Sequence, residues 1–335
     1  MNLAIKKIAI IGAGAFGFAL AKIIGDKYKN KAVYLFDTRA ECARHIKATK
    51  QHPVWHRGVK LAASVIMADS ISTAAAGADL IILAVPSACL RQAARDLKAN
   101  LKKPVIILNT AKGLAAERGL TTSAIIKREL KGVKVKFNLC ALSGGMIADE
   151  VVKGAPLGAT VAGRNKKSTA VAAKILKNKK LRLTVSADLT GVELAGAFKN
   201  VVAIGAGLFD GQRLGASSKA SFVSRAAAEL SALAVAMGAK SETFAAASEA
   251  WWGDLLATCF GASRNRAFGE AIGRQGNVNT ARGRFGTVEG YGTTKIARRL
   301  ARRYRVKTPV LDLLYKVLYE NLSVKEFLLG VTRNP

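Results

Sequence analysis

Between Lys7 and about Ser186, short apolar runs alternate with Ala-rich amphipathic stretches. That alternation predicts a parallel sheet with helices packed on its faces. Strands are expected at IAII, AVYLF, DLIILAV, PVIIL, FNLCAL, GATVAG and LRLTV. Each is an unbroken apolar run, as strands covered on both faces require. After Asp188 the strand-like runs vanish, and Ala, Leu and Gly recur at the three- and four-residue spacing of long helices. The change of period puts a boundary near residue 187. A chain of 335 residues exceeds the usual size of one hydrophobic core, so two domains fit its length as well.

The junction of the first strand and the first helix reads Gly12-Ala13-Gly14-Ala15-Phe16-Gly17. In this position a GxGxxG run is a dinucleotide-binding signal. Gly12 makes the tight turn, Gly14 lets backbone approach a pyrophosphate, and Gly17 permits close helix-to-strand packing, while the helix N-terminus offers N–H groups to phosphate. The expected architecture is therefore an α/β Rossmann-type N-terminal domain over residues 1–187, binding the dinucleotide, followed by an all-α C-terminal domain over 188–335 that binds substrate and carries catalysis. The second strand ends at Phe36-Asp37-Thr38-Arg39. An acidic residue there accepts from a ribose 2′-hydroxyl and an arginine accommodates a 2′-phosphate. Both are offered, so NAD and NADP stay open.

Charge widens the picture. The chain has 53 Lys and Arg against 22 Asp and Glu, a net charge of +31. Such a field attracts nucleic acid, anionic membrane or phosphorylated small molecules. The basic residues are densest in Lys166–Arg182 and Arg298–Lys307, alternating with apolar positions as on solvated helix faces, so no nucleic-acid partner is expected. Cys42, Cys89, Cys140 and Cys259 form no CxxC pair, and with only His45, His52 and His56 no metal site is expected; a reduced, cytoplasmic chain fits this usage. The N-terminal apolar run is better explained as strand and phosphate loop than as a signal peptide. Val201–Leu208 is too short to span a bilayer, with Glu193 and Lys199 upstream, so no membrane insertion is expected.

Reducing a ketone requires a group that protonates the oxygen as hydride arrives, and a chain with three histidines has lysine as the substitute. Burial or a neighbouring cation brings a lysine toward working pH. Lys112 follows the fourth of these strands in Asn109-Thr110-Ala111-Lys112-Gly113-Leu114, at the sheet edge where ligands bind in open α/β folds. Lys199, followed by Asn200, lies on a segment carrying Gly191, Gly196, Gly205 and Gly207. Each helical glycine costs about 1 kcal/mol relative to Ala, which points to close packing or a ligand. On spacing alone, either lysine is an ordinary surface charge.

The segments GAGAFG, AVPSACLR, NTAKGL, GVELAGAFKNVVAIGAGLFDG, GDLLATC, SRNRAFG and VEG occur in the order found in glycerol-3-phosphate dehydrogenases, and from about residue 8 to about residue 320 the chain resembles that family. The resemblance implies reversible hydride transfer between NAD or NADP and the pair dihydroxyacetone phosphate and glycerol 3-phosphate. It also implies a homodimer supplying glycerol 3-phosphate for phospholipid synthesis. Lys199 corresponds to the general acid, and Lys112 to a lysine reaching both substrate and cofactor. Asn200 and Asp254 join them in catalysis. Gly144, Thr258, Ser263, Arg264 and Asn265 fall at substrate positions, the last three at the phosphate. Gly12, Gly14, Ala15, Phe16, Gly17, Ala148, Arg264, Thr287 and Glu289 fall at cofactor positions. Two other readings share these residues: a related Lys-dependent hydroxyacid or ketoacid reductase, and a catalytically lapsed homologue that binds cofactor or nucleic acid.

Several positions depart from the family pattern. Ser143-Gly144-Gly145-Met146 lacks the usual small polar residue. The loop His52-Pro53-Val54-Trp55-His56-Arg57-Gly58 keeps an aromatic residue in changed surroundings. Phe16 replaces a Trp, Thr38 stands where Arg is common, and Ser248-Glu249-Ala250-Trp251-Trp252 inserts bulk near the expected site.

Overall fold

The computed structural model describes residues 5–115 and 119–333. The chain separates into two compact units, one made of Met1–Ala111 with Thr122–Leu189 and the other of Lys112–Thr121 with Thr190–Pro335.

The first unit is built on an eight-stranded sheet: β1 (Lys7–Ile11), β2 (Ala32–Phe36), β3 (Val65–Met67), β4 (Leu80–Leu83), β5 (Val105–Asn109), β6 (Phe137–Gly144), β7 (Leu157–Gly163) and β8 (Leu181–Ser186), in the order β3-β2-β1-β4-β5-β6-β7-β8. The central β4 and β5 are buried at every residue and carry aliphatic side chains at nearly every position. Two hydrophobic clusters, one on each face, hold Ile8 and Ile10 on one side and Ala9 and Ile11 on the other.

Two features depart from the sequence expectation. β3 is three residues long and pairs with β2 at the sheet edge. Its central Ile66 is exposed, so VIM reads neither as a buried run nor as a sustained alternation. The sheet is also not wholly parallel, since β7 runs antiparallel to β6 and β8 runs parallel to β7. Along β8 only Leu181 is fully buried, as an edge strand allows.

The second unit is helical. Its centre is the Leu189–Gly211 helix, surrounded by Ala216–Ala236, Asp254–Phe260, Arg264–Gln275, Glu289–Tyr304, Pro309–Tyr319 and Val324–Arg333. The central helix is long and apolar enough to cross a membrane, contrary to the length argument made above, but nearly all of it is buried among the other helices. Its glycines explain how. A Cβ at Gly207 would lie 2.1 Å from the Arg266 carbonyl oxygen, and one at Gly269 only 1.9 Å from that of Ile204. The backbones of Leu189–Gly211 and Arg264–Gln275 thus meet without side chains between them, so close packing accounts for the cost of helical glycine there.

The excursion Lys112–Thr121 explains why one cut near residue 187 does not describe the division. Leu114 is buried in the helical unit's hydrophobic cluster, and a Cβ at Gly119, where φ is +65°, would press on Leu300. Apolar burial at Leu114 and the contact at Gly119 tie the described parts of this stretch to the helical unit.

Candidate active site

In the first unit, Gly12 has φ +105°, and a Cβ there would lie 2.5 Å from the Ala84 carbonyl oxygen. A Cβ at Gly17 would lie 1.8 Å from the Gly12 carbonyl oxygen. No other residue fits at either position. Gly14 is different: nothing lies within 4 Å of a Cβ built on it, so the loop has an open face. The helix that follows, Ala15–Lys27, begins at Gly14 with no side-chain cap and no acidic residue in its first turn. Uncapped N–H groups and an open glycine face make this end a fit for a pyrophosphate. Ala15 and Phe16 form the first turn, and Phe16 packs against the core beneath.

Asp37 closes the far side of the loop. Its Oδ2 accepts from the Ala13 N–H at 2.7 Å, and both oxygens accept from Arg39. Burial alone would raise its pKa, but the Arg39 guanidinium and the backbone N–H donors overrule it and hold the carboxyl below its usual range. In the departing loop, His52 Nδ1 accepts from the N–H groups of Val54 and Trp55, each at 3.0 Å. His56, with φ +56°, reaches the Ala15 carbonyl oxygen at 2.8 Å. Gly144 ends β6 with φ +154°, where a Cβ would strike Ala159, and Ala148 opens the short helix Ala148–Lys153. Met146 is buried in the core, so its apolar side chain has a packing role.

In the second unit three charges converge. Lys199 projects from the central helix, Asp254 begins the helix Asp254–Phe260, and Lys112 comes from the excursion. Asp254 Oδ2 pairs with Lys112 Nζ at 2.5 Å and Oδ1 with Lys199 Nζ at 2.8 Å. Lys199 also donates to Thr258 Oγ1 at 2.7 Å, and that hydroxyl donates to the Asp254 carbonyl oxygen at 2.6 Å. Asp254 and Thr258 lie four residues apart on one helix face, so both meet the same ammonium.

The electrostatics follow from the burial of two cations around one anion. Burial is the largest influence on Lys112; Asp254 opposes it, Lys199 adds to it, and the ammonium is brought down to about 8. Burial would raise the Asp254 carboxyl, but the two lysines outweigh it and keep it below the ordinary range. Below about pH 8 the cluster therefore carries one net positive charge, which suits an anion or a developing alkoxide.

A chain of amides leads away from the Lys112 backbone. Asn200 Nδ2 donates to the Lys112 carbonyl oxygen at 3.4 Å, Asn265 Nδ2 donates to Asn200 Oδ1 at 3.0 Å, and Gly290 N–H donates to Asn265 Oδ1 at 2.9 Å. Ser263 caps the helix Arg264–Gln275, its Oγ accepting from the Arg266 N–H, with Arg264 exposed in the first turn. Glu289 starts the helix Glu289–Tyr304, near enough to raise the pKa of Lys112. Thr287 is exposed two residues earlier, lining a cavity of about 620 Å³ with Arg282 and Tyr291.

Several contributors are absent from the sequence reading. Gly290 is one: a Cβ there would lie 2.4 Å from the Asn200 carbonyl oxygen, and the glycine after Glu289 is its signal. Asp210 is another, pairing with both Lys219 at 2.7 Å and Arg266 at 2.6 Å. Arg266 in turn donates to the Gly261 carbonyl oxygen, fixing the turn before Ser263. Trp251 is a core residue. It is buried in the helical core with its ring 5.3 Å from Phe244, in a π-helical turn, Glu249–Gly253, that leads directly into Asp254. Among the described residues no cluster of His, Cys, Asp and Glu is arranged to hold a metal.

Comparison with known proteins places these features in context. Residues 7–169 match the model of the N-terminus of NAD-dependent glycerol-3-phosphate dehydrogenase, and residues 188–329 match that of its C-terminus. A glycerol-3-phosphate dehydrogenase [NAD(P)+] of Fusobacterium nucleatum is 34% identical over 322 residues, covering 96% of this chain and 94% of that one. Its counterpart in Moorella thermoacetica is 34% identical over 335 residues, covering 98% and 96%. The crystal structure of glycerol-3-phosphate dehydrogenase from Coxiella burnetii is similar with a TM-score of 0.89 at 26% identity, covering 98% of this chain and 99% of that one.

Proposed function

The chain belongs to the NAD-dependent glycerol-3-phosphate dehydrogenase family, and from that premise we propose that it interconverts dihydroxyacetone phosphate and sn-glycerol 3-phosphate with NAD or NADP. The observation that carries the reading is the convergence of Lys112 and Lys199 on Asp254. When bound, the nicotinamide cofactor supplies or takes up the hydride. The glycine loop Gly12–Gly17 and the uncapped helix behind it would hold its pyrophosphate, with Ala148, Arg264, Thr287 and Glu289 contributing further contacts.

The remaining chemistry belongs to this chain's own residues. An ammonium has three N–H donors. Two of those on Lys199 are directed at Asp254 and Thr258, which leaves a third for the C2 oxygen of the substrate. In reduction that oxygen takes its proton from Lys199, which recovers one from solvent; in oxidation the neutral amine accepts it. Asp254 holds Lys199 in place and offsets the repulsion between the two lysines. Lys112 supplies the positive charge that steadies the oxygen as it becomes anionic. Asn200 and Asn265 orient the excursion and the Gly290 turn around the substrate. Ser263, Arg264 and Asn265 offer the phosphate a helix N-terminus and a guanidinium, and Gly144 is a further substrate residue that the family resemblance implies. The same reading carries a cytoplasmic homodimer that supplies glycerol 3-phosphate for phospholipid synthesis.

The test follows absorbance loss of NADH and NADPH in parallel with dihydroxyacetone phosphate present. Lys199→Ala is expected to cut turnover by roughly a hundred- to ten-thousand-fold, the usual loss when a general acid is removed, while still binding cofactor. Full activity in that variant would remove the mechanism. Preference for an unphosphorylated keto acid would instead favour a related reductase.

A further inference from the structure

At the end of β2 the two residues that choose between dinucleotides are hydrogen-bonded to each other. Asp37 Oδ1 accepts from Arg39 N–H at 2.9 Å and from Arg39 Nε–H at 2.8 Å. Its Oδ2 accepts from Ala13 N–H at 2.7 Å and from Arg39 Nη2 at 2.9 Å. An ionised carboxylate has about four lone-pair sites, and Asp37 therefore has no acceptor capacity left for a ribose hydroxyl. Its side chain is 7% exposed, whereas that of Arg39 is 53% exposed. What this edge offers an incoming dinucleotide is a guanidinium.

That guanidinium still has donors to give. Of its five N–H groups, one on Nε and one on Nη2 are directed at Asp37, which leaves the rest for a ligand. Asp37 also fixes the plane of the group through two parallel bonds, a geometry that limits its rotation and lowers the ordering cost of binding a second anion. A 2′-hydroxyl needs an acceptor here and finds none unspent; a 2′-phosphate needs donors and positive charge and finds both.

We propose that this chain prefers the 2′-phosphorylated cofactor, NADP(H), with Arg39 as the specificity-determining residue and Asp37 as the positioning residue that holds Arg39 and the glycine loop together. The proposal rests on the reading that the first unit binds a nicotinamide dinucleotide. It assigns Asp37 a role opposite to the one an acidic residue at the end of a second strand usually signals.

The test is a calorimetric titration of the full chain with NADP⁺, NAD⁺, adenosine 2′,5′-bisphosphate and 5′-AMP, none of which requires turnover. NADP⁺ is expected to bind at least ten-fold tighter than NAD⁺, and the bisphosphate tighter than 5′-AMP by a similar factor. Arg39→Ala should abolish or reverse both differences, weakening NADP⁺ and leaving NAD⁺ affinity unchanged or higher, because the two acceptor sites that the Arg39 side chain occupied on Asp37 are released. Arg39→Lys should restore part of the preference, since it returns the charge without the fork. Asp37→Asn should weaken NADP⁺ through a less ordered Arg39 and should not create an NAD⁺ preference. Equal or tighter NAD⁺ binding in the parent, or an unchanged preference in Arg39→Ala, overturns the proposal. If neither dinucleotide binds, the underlying dinucleotide reading falls and this one with it. NADP⁺ preference without reduction of dihydroxyacetone phosphate sinks the proposed reaction and leaves this inference standing.

Discussion

The residue that sets the pH behaviour of the site is Lys112. Its charged form is lost above about pH 8, because burial outweighs the attraction of Asp254 and Lys199 repels it. Asp254 stays ionised well into acid, since its pKa is lowered. As pH rises through about 8 the cluster therefore goes from one net positive charge to neutral. The kcat/KM for dihydroxyacetone phosphate is expected to fall above that point, with a limb that Lys112→Arg moves upward because arginine keeps its charge. A profile flat to pH 10 would contradict the assignment. The stability consequence has the opposite sign. Between about pH 8 and the ordinary lysine range the unfolded chain binds the extra proton, so this residue's contribution to stability rises with pH across that window.

Among the elements, the crossing of Leu189–Gly211 with Arg264–Gln275 matters most, because one helix carries Lys199 and the other begins at the expected phosphate position. Gly269→Ala would put a Cβ 1.9 Å from the Ile204 carbonyl oxygen, against backbone that cannot yield cheaply. Overpacking of this kind costs about 1–3 kcal/mol, and a fall in Tm of several degrees is expected in a thermal melt. Gly292→Ala is the control. It lies inside the helix Glu289–Tyr304 with nothing within 4 Å of the added Cβ, so it should be neutral or raise stability by about 0.4–1 kcal/mol. Equal behaviour of the two variants would show that the close approach is not what limits this crossing.

Across the whole molecule the 53 basic side chains fall into two groups, 31 more than the 22 acidic ones can offset. Some are engaged internally. Lys27 donates to the carbonyl oxygens of Lys174 and Lys177 at the end of a helix, Arg91 and Arg95 share Glu129, and Arg298 spans Asp312 and Glu320. The rest give an excess of positive field, which should speed the encounter with a phosphorylated anion. The kcat/KM for dihydroxyacetone phosphate is therefore expected to fall several-fold between about 20 and 500 mM NaCl as screening shortens the reach of the field, with kcat less affected. A salt-independent kcat/KM would mean that the excess charge plays no part in substrate capture.

How much of this was legible beforehand depended on the range of the interaction involved. The glycine loop could be read because its demands are local: Gly12 needs its positive φ and Gly17 its missing Cβ within six residues of one another. Seven of the eight strands were legible from the apolar residues they carry, although β8 is buried only at Leu181 and so is not covered on both faces as such a run was expected to be. β3 was not, since an edge strand of three residues is selected by the register of β2 rather than by its own composition. The reversal of β7 was hidden for the same reason, because strand direction is set by the connection and the neighbour.

By itself, then, the order of residues determined the period of each element, the chemistry at hand and the family to which the chain belongs. Tertiary structure alone decided that Lys112 leaves the sheet to share Asp254 with Lys199, that Trp251 goes to the core, and that Asp37 spends its oxygens on Arg39. The physical reason is that a side chain's pKa, its unspent hydrogen-bond capacity and its exposure depend on which partners the fold brings to it, from Arg39 two residues after Asp37 to Asp254 142 residues after Lys112, and no local pattern encodes which partners those are.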